Sequence, residues 1–327
     1  MIFSLAITGP TASGKTALSL SLAERLGCEI ISCDSMQVYL GMDIGTAKAT
    51  PEERARVPHH LIDFLPPSES YSVEAYRESA VKCAEDITAR GKTPLFVGGT
   101  GLYIDSLTRS GATDVPGSDP EYREALLSSI KSEDDITALW ERLYSVDPES
   151  AEKIHKNNVK RVIRALEIYD KTGRTKSDFD KQSLLFSPEI YVGMITLDFH
   201  DRENLYNRVD TRVDVMMEEG LLSEVESLYR ADALGDTARQ AIGYKELIEY
   251  LDGKITLDEA VENLKLASRR YAKRQLTWFR HERDARVIYA DTEYGRMKPQ
   301  EELLKEAISH YEELLRDYKE IIKKRKV

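Results

Sequence analysis

MIFSLAITGPTASGKTALSLSLAERLG, residues 1–27, is the stretch on which the fold turns. Inside it GPTASGKT, Gly9 to Thr16, is a complete G-x-x-x-x-G-K-S/T phosphate loop. The apolar run Phe3 to Thr8 reads as a short buried strand, and Lys15 to about Leu26 reads as a helix. In that setting Gly9 and Gly14 let the backbone turn sharply, Pro10 shapes the turn without an N–H of its own, and Thr11, Ala12 and Ser13 complete a cradle of N–H groups at a helix N-terminus. Lys15 supplies a point charge near the bridging oxygens of a bound phosphate chain, and the Thr16 hydroxyl is placed to hold Mg²⁺. The loop predicts a diphosphate or triphosphate ligand. It leaves open whether the phosphates are a fuel, a group to be passed on, or a leaving group.

Working outward, Glu29–Ser32 is a second apolar strand that stops at Cys33-Asp34, and His60–Leu65 a third, closed by Pro66-Pro67. Ser72–Arg90 has helical period, with Val73, Tyr76, Ala80, Cys83, Ala84 and Ile87 on one side. Pro94–Val97 is another buried strand ended by Gly98-Gly99, and a helix begins near Thr100. Strands alternating with helices predict a parallel α/β sheet whose ligands gather at the carboxyl ends of the strands. From Pro116 to Phe186 only helical periods and turn signals occur. Ile190–Leu197 resumes a buried strand, Val287–Ala290 supplies a last one, and long helical patterns run over 202–219 and 257–281 before a charged C-terminal helix. The expected fold is a P-loop NTPase-like α/β core, about 1–115 and 190–327, with a mainly helical insertion at 116–189.

Bulk properties narrow the function class. A chain of 327 residues, 41% hydrophobic and 31% charged, buries a sizeable core. No run of about 18 apolar residues is present, and the first strand follows Met1 directly, so neither a membrane span nor a signal peptide is expected. Cys28, Cys33 and Cys83 have no metal-like spacing and cannot all pair, which suits a reducing cytoplasm. Nothing calls for more than a monomer. The net charge of −11 argues against a nucleic-acid partner, yet residues 153–176 and 265–286 are strongly basic. A locally positive groove on an acidic body is compatible with a polyanion, although either stretch alone reads as a solvated helix face.

A nucleotide-hydrolysing enzyme needs an acid ending a second core strand to hold Mg²⁺ and water. Here the strand PLFV ends in Gly98-Gly99-Thr100 instead. Asp34 does end a strand, and adjacency of parallel strands is expected to bring it to the loop's edge. A carboxylate there serves Mg²⁺ or accepts a proton from an incoming nucleophile, if it is not merely a turn-forming residue. Two enzymatic readings follow: a kinase in which the loop holds ATP, and a transferase in which it holds a departing diphosphate. A third is an RNA-binding protein that kept the loop without catalysis.

The sequence resembles the bacterial tRNA dimethylallyltransferase family. The likeness is carried by GPTASGKT, ISCDSMQVYLGMDIGTAKAT, PHHLID, VGGTGLYIDSL, RVIRALEIYDKTG, ARQAIGYKE and RRYAKRQLTWFRH, in order over nearly the full length. It implies transfer of a dimethylallyl group from dimethylallyl diphosphate to N6 of the adenosine 3′ to the anticodon of tRNA. It also implies that the loop, Lys15 and Mg²⁺ on Thr16 neutralise the departing diphosphate, and that Asp34 accepts the N6 proton with the Thr100 hydroxyl on the same edge. Either Arg208 or Arg212, four apart on one helix face, reaches the diphosphate, unless both are surface pairs with acids. The resemblance further places Ser35, Met36 and Gln37 with Asp34 and Thr100 at the tRNA base, and Arg123 on the tRNA. It assigns tRNA contact to Val159, Lys160, Arg161, Val162 and Ile163, and to Arg239, Gln240, Ala241, Ile242, Gly243 and Tyr244. The last such segment is Lys273, Arg274, Gln275, Leu276, Thr277, Trp278, Phe279 and Arg280. Of its two aromatics, packing is favoured over base stacking. A target adenine must leave its stack before Asp34 can reach it.

One departure stands out. The family has His-Pro-Asn-Asp before its arginine-rich helix, whereas this chain reads His155-Lys156-Asn157-Asn158, losing a carboxylate at a helix cap. His59-His60 has no third ligand at useful spacing and is read as structural.

Overall fold

The structure is a computed structural model that describes residues 1–108, 115–183, 189–282 and 284–325. It divides into two compact units, Met1–Thr108 with Glu189–Val327, and Arg109–Pro188. Residues 109–114, just ahead of the junction expected near 115, and 184–188, where the helical stretch was expected to end, lie outside the described residues.

The larger unit begins with β1 (Ile2–Thr8), α1 (Lys15–Leu26), β2 (Cys28–Ser32), α2 (Pro51–Arg56), β3 (His59–His60), α3 (Val73–Ala89), β4 (Thr93–Val97) and α4 (Gly101–Thr108). The six strands form one parallel sheet in the order β3-β2-β4-β1-β5-β6, with β5 (Ile190–Asp198) and β6 (Arg286–Tyr289) supplied by the second half of the chain. This is a phosphate-loop α/β core. Its inner strands β2, β4, β1 and β5 are largely buried on both faces, as parallel strands flanked by helices must be, while the edge strands β3 and β6 keep part of their surface exposed. Leu5, Ile7, Ile30, Leu95 and Ile195 pack under α1, while Ala6, Ile31, Phe96 and Met194 pack under α3 and α4. On the second face Tyr76, Ala80, Ala84 and Ile87 of α3 are all buried. Ser72 caps that helix by accepting from the Ala75 N–H, which satisfies one of the first-turn donors that have no partner within the helix.

Two expectations are corrected. The strand read over His60–Leu65 is only two residues long, because Leu61 and Asp63 adopt φ of 55° and 60°, which no strand tolerates. Asp34 does not follow a strand adjacent to the phosphate loop: β4 lies between β2 and β1. Both strands still end at the same edge of the sheet.

The smaller unit holds α5 (Pro120–Ser129), α6 (Glu133–Val146), α7 (Pro148–Lys153), α8 (Val159–Thr172) and α9 (Lys176–Ser183), with no strand among its described residues. Its core is Leu139, Leu143, Ile154, Val162, Ile163 and Leu166. Glu167 is fully buried there and accepts from Arg123 Nε at 3.0 Å and Arg164 at 2.7 Å. Burial works to raise the carboxyl, yet these arginines hold it below the usual range. The N-cap of α8, Asn158, makes no side-chain capping bond, which is the loss expected where the family carries an aspartate.

The chain closes with α10 (Arg202–Glu218), α11 (Leu221–Arg230), α12 (Asp236–Arg239), α13 (Tyr244–Leu251), α14 (Leu257–Phe279) and α15 (Gln300–Arg325). Helices α10 to α14 share a core with Val38, Tyr39 and Met42 that lies beside the sheet's carboxyl edge. No described helix is long and apolar enough to cross a membrane.

Replacing Glu167 with Ala removes the acceptor that Arg123 and Arg164 share, leaving Arg164 only the Pro116 and Gly117 carbonyls. Both guanidinium groups keep some solvent, so the expected cost is about 3 kcal/mol, the low end for breaking a buried pair. Hydrogen exchange should speed up in α5 and α8 while the amides of β1 and β4 keep their protection.

Candidate active site

The phosphate loop connects β1 to α1. Gly14 is the N-cap of α1 in the left-handed region and offers no side chain, so the first N–H groups of the helix face the loop without a side-chain acceptor. Ser13 Oγ is buried and has no hydrogen-bond partner. A buried donor left unpaired costs stability, and an anionic oxygen seated in the loop would satisfy it. Lys15 Nζ donates to the Pro10 carbonyl at 2.6 Å, and Arg208 Nε on α10 donates to the Ala12 carbonyl at 2.8 Å. Arg208 thereby pins α10 to the loop. Arg212, one turn on, has no hydrogen bond or ion pair among the described residues and feels Asp34 electrostatically.

Three cavities run through this region. The outer one, about 590 Å³, is lined by Ala12 to Ala17 with Arg208, Thr211 and Arg212. A small inner one, about 90 Å³, is lined by Thr11, Lys15, Thr16, Asp34, Gly99, Arg212, Tyr271 and Gln275 among others. The third, about 410 Å³, is mainly apolar, with Val209, Val213, Met216, Leu221, Ile242 and Leu264 in its wall. Arg212 lines all three, and Thr11, Asp34, Thr46 and Tyr271 line both the inner and the apolar one. A charged ligand in the loop and an apolar or planar group in the apolar cavity would therefore meet at Asp34 and Arg212.

Burial dominates the electrostatics. It pushes the Asp34 carboxyl above the usual carboxylate range, against the pull of the Met36 N–H and of Lys15. Burial also drops Lys15 to about 7, helped by the charge of Arg212 and opposed by Asp34. The Tyr271 phenol, raised by burial and by Asp34, sits against the Thr100 hydroxyl and the Gln275 amide. Thr100 Oγ1 accepts from the Ser35 N–H at 3.2 Å, and Asp34 Oδ1 accepts from the Met36 N–H at 2.9 Å. Asp34, Thr100, Ser35 and Met36 thus form one connected group.

Other residues singled out in the sequence fall into different settings. Gln37 has its amide fully used inside the protein: it accepts from Ser32 Oγ at 3.0 Å and donates to the Thr46 and Ala47 carbonyls. Among 159–163, Lys160 and Arg161 are exposed whereas Val162 and Ile163 are core. Arg123 is held by Glu167. In the 239–244 segment Gln240 is exposed and Ile242 half-buried. Ala241, Gly243 and Tyr244 are buried, and the Tyr244 hydroxyl donates to Glu224. Arg239 lies over the Tyr229 ring at 5.3 Å. In the last segment Lys273, Arg274 and Thr277 are exposed. Gln275, Leu276 and Phe279 are buried, and the Trp278 indole packs over Gly101, where a Cβ would overlap it. Arg280 is committed to a two-point ion pair with Asp198, both bonds at 2.8 Å. The buried members of these segments seat the helices, and the exposed ones are what remains to face a polyanion.

Sequence reasoning missed two residues that shape the site. Glu224 of α11 accepts from three successive backbone N–H groups, Asp43 at 2.9 Å, Ile44 at 2.8 Å and Gly45 at 3.1 Å, fixing a wall of the apolar cavity. Lys48, almost fully buried, ties Asp43, Asp63 and the Tyr39 carbonyl together. The lone signal was MDIG, a turn whose consecutive amides need an acceptor; its partner lies far along the chain.

Known proteins resemble this chain over most of its length. A family model described as IPP transferase matches residues 37–282, and one described as isopentenyl transferase matches residues 3–61. The chain is 51% identical over 278 residues to the tRNA dimethylallyltransferase of Bacillus velezensis, covering 84% of this chain and 87% of the relative. It is 52% identical over 281 residues to that of Shouchella clausii, covering 86% and 89%. Among solved structures it resembles the full-length tRNA isopentenylpyrophosphate transferase of Bacillus halodurans, with 42% identity, TM-score 0.68, and coverage of 97% and 99%. It also resembles a eukaryotic dimethylallyltransferase captured acting on tRNA, with 31% identity, TM-score 0.74, and coverage of 88% and 74%.

The differing ties of the two arginines make a prediction for inorganic diphosphate. Arg212→Ala should weaken its binding about tenfold or more, the loss of a charge-assisted contact. Arg208→Ala should weaken it less and should also loosen α10 from the loop. Calorimetric titration of both variants checks the order.

Proposed function

The chain belongs to the IPP transferase family, and from that premise we propose that it moves a dimethylallyl group from dimethylallyl diphosphate to tRNA. The acceptor is N6 of the adenosine on the 3′ side of the anticodon, and diphosphate is released. The observation that carries the mechanism is the shared wall of two cavities: Asp34 and Arg212 stand where a phosphate-binding space opens into an apolar one.

The diphosphate occupies the loop, held by the free N–H groups of α1, the unpaired Ser13 hydroxyl, Lys15 and Arg212. Stabilising charge that develops on the leaving oxygens is the largest contribution such a site can make. Adenine N6 is a weak nucleophile, because its lone pair is delocalised into the ring. As the N6–C1 bond forms and the C1–O bond breaks, Asp34 takes the N6 proton, and its raised carboxyl is a better acceptor than an ordinary aspartate. Thr100, bound to the Ser35 N–H, holds the same edge.

Mg²⁺ fits at Thr16, whose side chain borders both the inner and outer cavities. No cluster of three or more metal-ligating side chains exists among the described residues. The ion would therefore take one hydroxyl from the protein and its other ligands from diphosphate and water, supplying charge neutralisation on the departing group. The exposed Lys160, Arg161, Lys273 and Arg274 are the cations available to RNA phosphates. The reaction belongs in the cytoplasm, where tRNA is found and where three free cysteines stay reduced. A kinase reading has less support, since β4 ends in glycines rather than in an acid.

Label from dimethylallyl diphosphate should pass to an anticodon stem-loop without consumption of ATP, and EDTA should stop transfer until Mg²⁺ is restored. ATP turnover with no labelled RNA would sink the assignment.

Asp34→Asn should cost about 10²- to 10⁴-fold in rate, the usual worth of a positioned base, while stem-loop affinity survives. Because the base form is required, wild-type kcat should fall as pH drops through a carboxyl pKa above the ordinary ~4. That acid limb should be absent from the residual activity of the variant.

A further inference from the structure

Gln275 lies on the buried side of α14 and is only 5% exposed. Its Oε1 accepts from the Thr11 N–H of the phosphate loop at 2.8 Å, and its Nε2 donates to the Gly99 carbonyl at 3.0 Å. One amide thus joins the turn after β1 to the turn after β4. The second turn carries Thr100 as its next residue, and Thr100 in turn holds the Ser35 N–H beside Asp34. Gly99 is what allows the approach, since a Cβ there would overlap Gln275 Nε2. An uncharged side chain that both donates and accepts is the chemistry this joint demands; a carboxylate would repel the Gly99 oxygen, and a lysine could not accept from Thr11.

We propose that Gln275 is a positioning residue for the transfer step, setting the distance between the diphosphate cradle and the Thr100–Asp34 edge, and is not a contact for RNA. The inference rests on the transferase reading above. Bond exchange in line between a leaving oxygen and an incoming nitrogen needs the reacting atoms held to within about an ångström, and misplacement on that scale costs about 100-fold. The Thr11 amide, which the loop motif alone would assign to phosphate, is already engaged by Gln275.

The test uses the full-length enzyme with labelled dimethylallyl diphosphate, Mg²⁺ and an anticodon stem-loop. Gln275→Met keeps the volume and removes both hydrogen bonds. Expected is a fall in kcat of about 10- to 100-fold, with KM for the stem-loop and its directly measured Kd within about twofold of wild type. Gly99→Ala displaces the amide from the opposite side and should give the same split. The double variant should lose little more than either single change, as members of one joint do. Should Gln275→Met not fold, Gly99→Ala with Gln275→Glu carries the same comparison. A loss that appears in stem-loop Kd with kcat unchanged would make Gln275 an RNA contact and overturn the proposal. So would a kcat within twofold of wild type. Wild-type enzyme that transfers no label overturns the transferase reading itself; active wild type with unaffected variants overturns only this inference.

Discussion

One carboxylate and two cations, each half-buried, converge where the cavities join, and the rest of the site is arranged around that imbalance. Asp34 is pushed toward its neutral form by desolvation, and Lys15 and Arg212 are pushed the same way. No ion pair joins the three among the described residues. Taking charges out of water is expensive unless a partner compensates. The compensation here is left to a ligand: an anion with several negative charges, brought up against the loop, relieves both cations at once. A site that is electrostatically incomplete without its substrate gains most from binding it, and its field is strengthened where apolar side chains lower the local dielectric. The apolar lining of the 410 Å³ cavity serves that end.

Holding such a group apart at this junction requires a stiff frame. It comes from side chains that bond other segments of the chain. Arg208 ties α10 to Ala12, Glu224 gathers the amides of Asp43 to Gly45, Gln37 braces Thr46 and Ala47, and Lys48 binds Asp43 to Asp63. Each joins residues that no local rule connects. The loop segment 34–48 has almost no regular secondary structure, so these bonds are what fix it.

That distinction explains how much was legible beforehand. The phosphate loop, the strands β1, β2, β4 and β5 and the helix α3 announce themselves by local pattern, because apolar period and turn chemistry are local. β3 was overread because nothing in HLIDFL signals that Leu61 and Asp63 take positive φ. The order of strands is a long-range property, and β4 between β2 and β1 could not be read from strand positions alone. In the basic segments, charge and motif identified the helices but not their rotation. Val162, Leu276 and Phe279 point inward while Lys160, Lys273 and Arg274 point outward, and Arg280 is spent on Asp198. A helical wheel separates such faces only when the direction of the core is known.

Helix α14 carries a consequence for how this protein can vary. Successive residues on a helix are turned by about 100°, so Lys273, Arg274 and Gln275 look in three directions from one short stretch. Deleting a single residue upstream within that helix would swing the amide out of the joint and carry Leu276 into it, and inserting one would carry Arg274 there instead. Natural drift in length is therefore barred from the body of α14 and must be absorbed at its flanks, in turns such as Asp252–Gly253 where the backbone is exposed. The rod is a ruler, and its graduations cannot be renumbered without misreading the chemistry at one end.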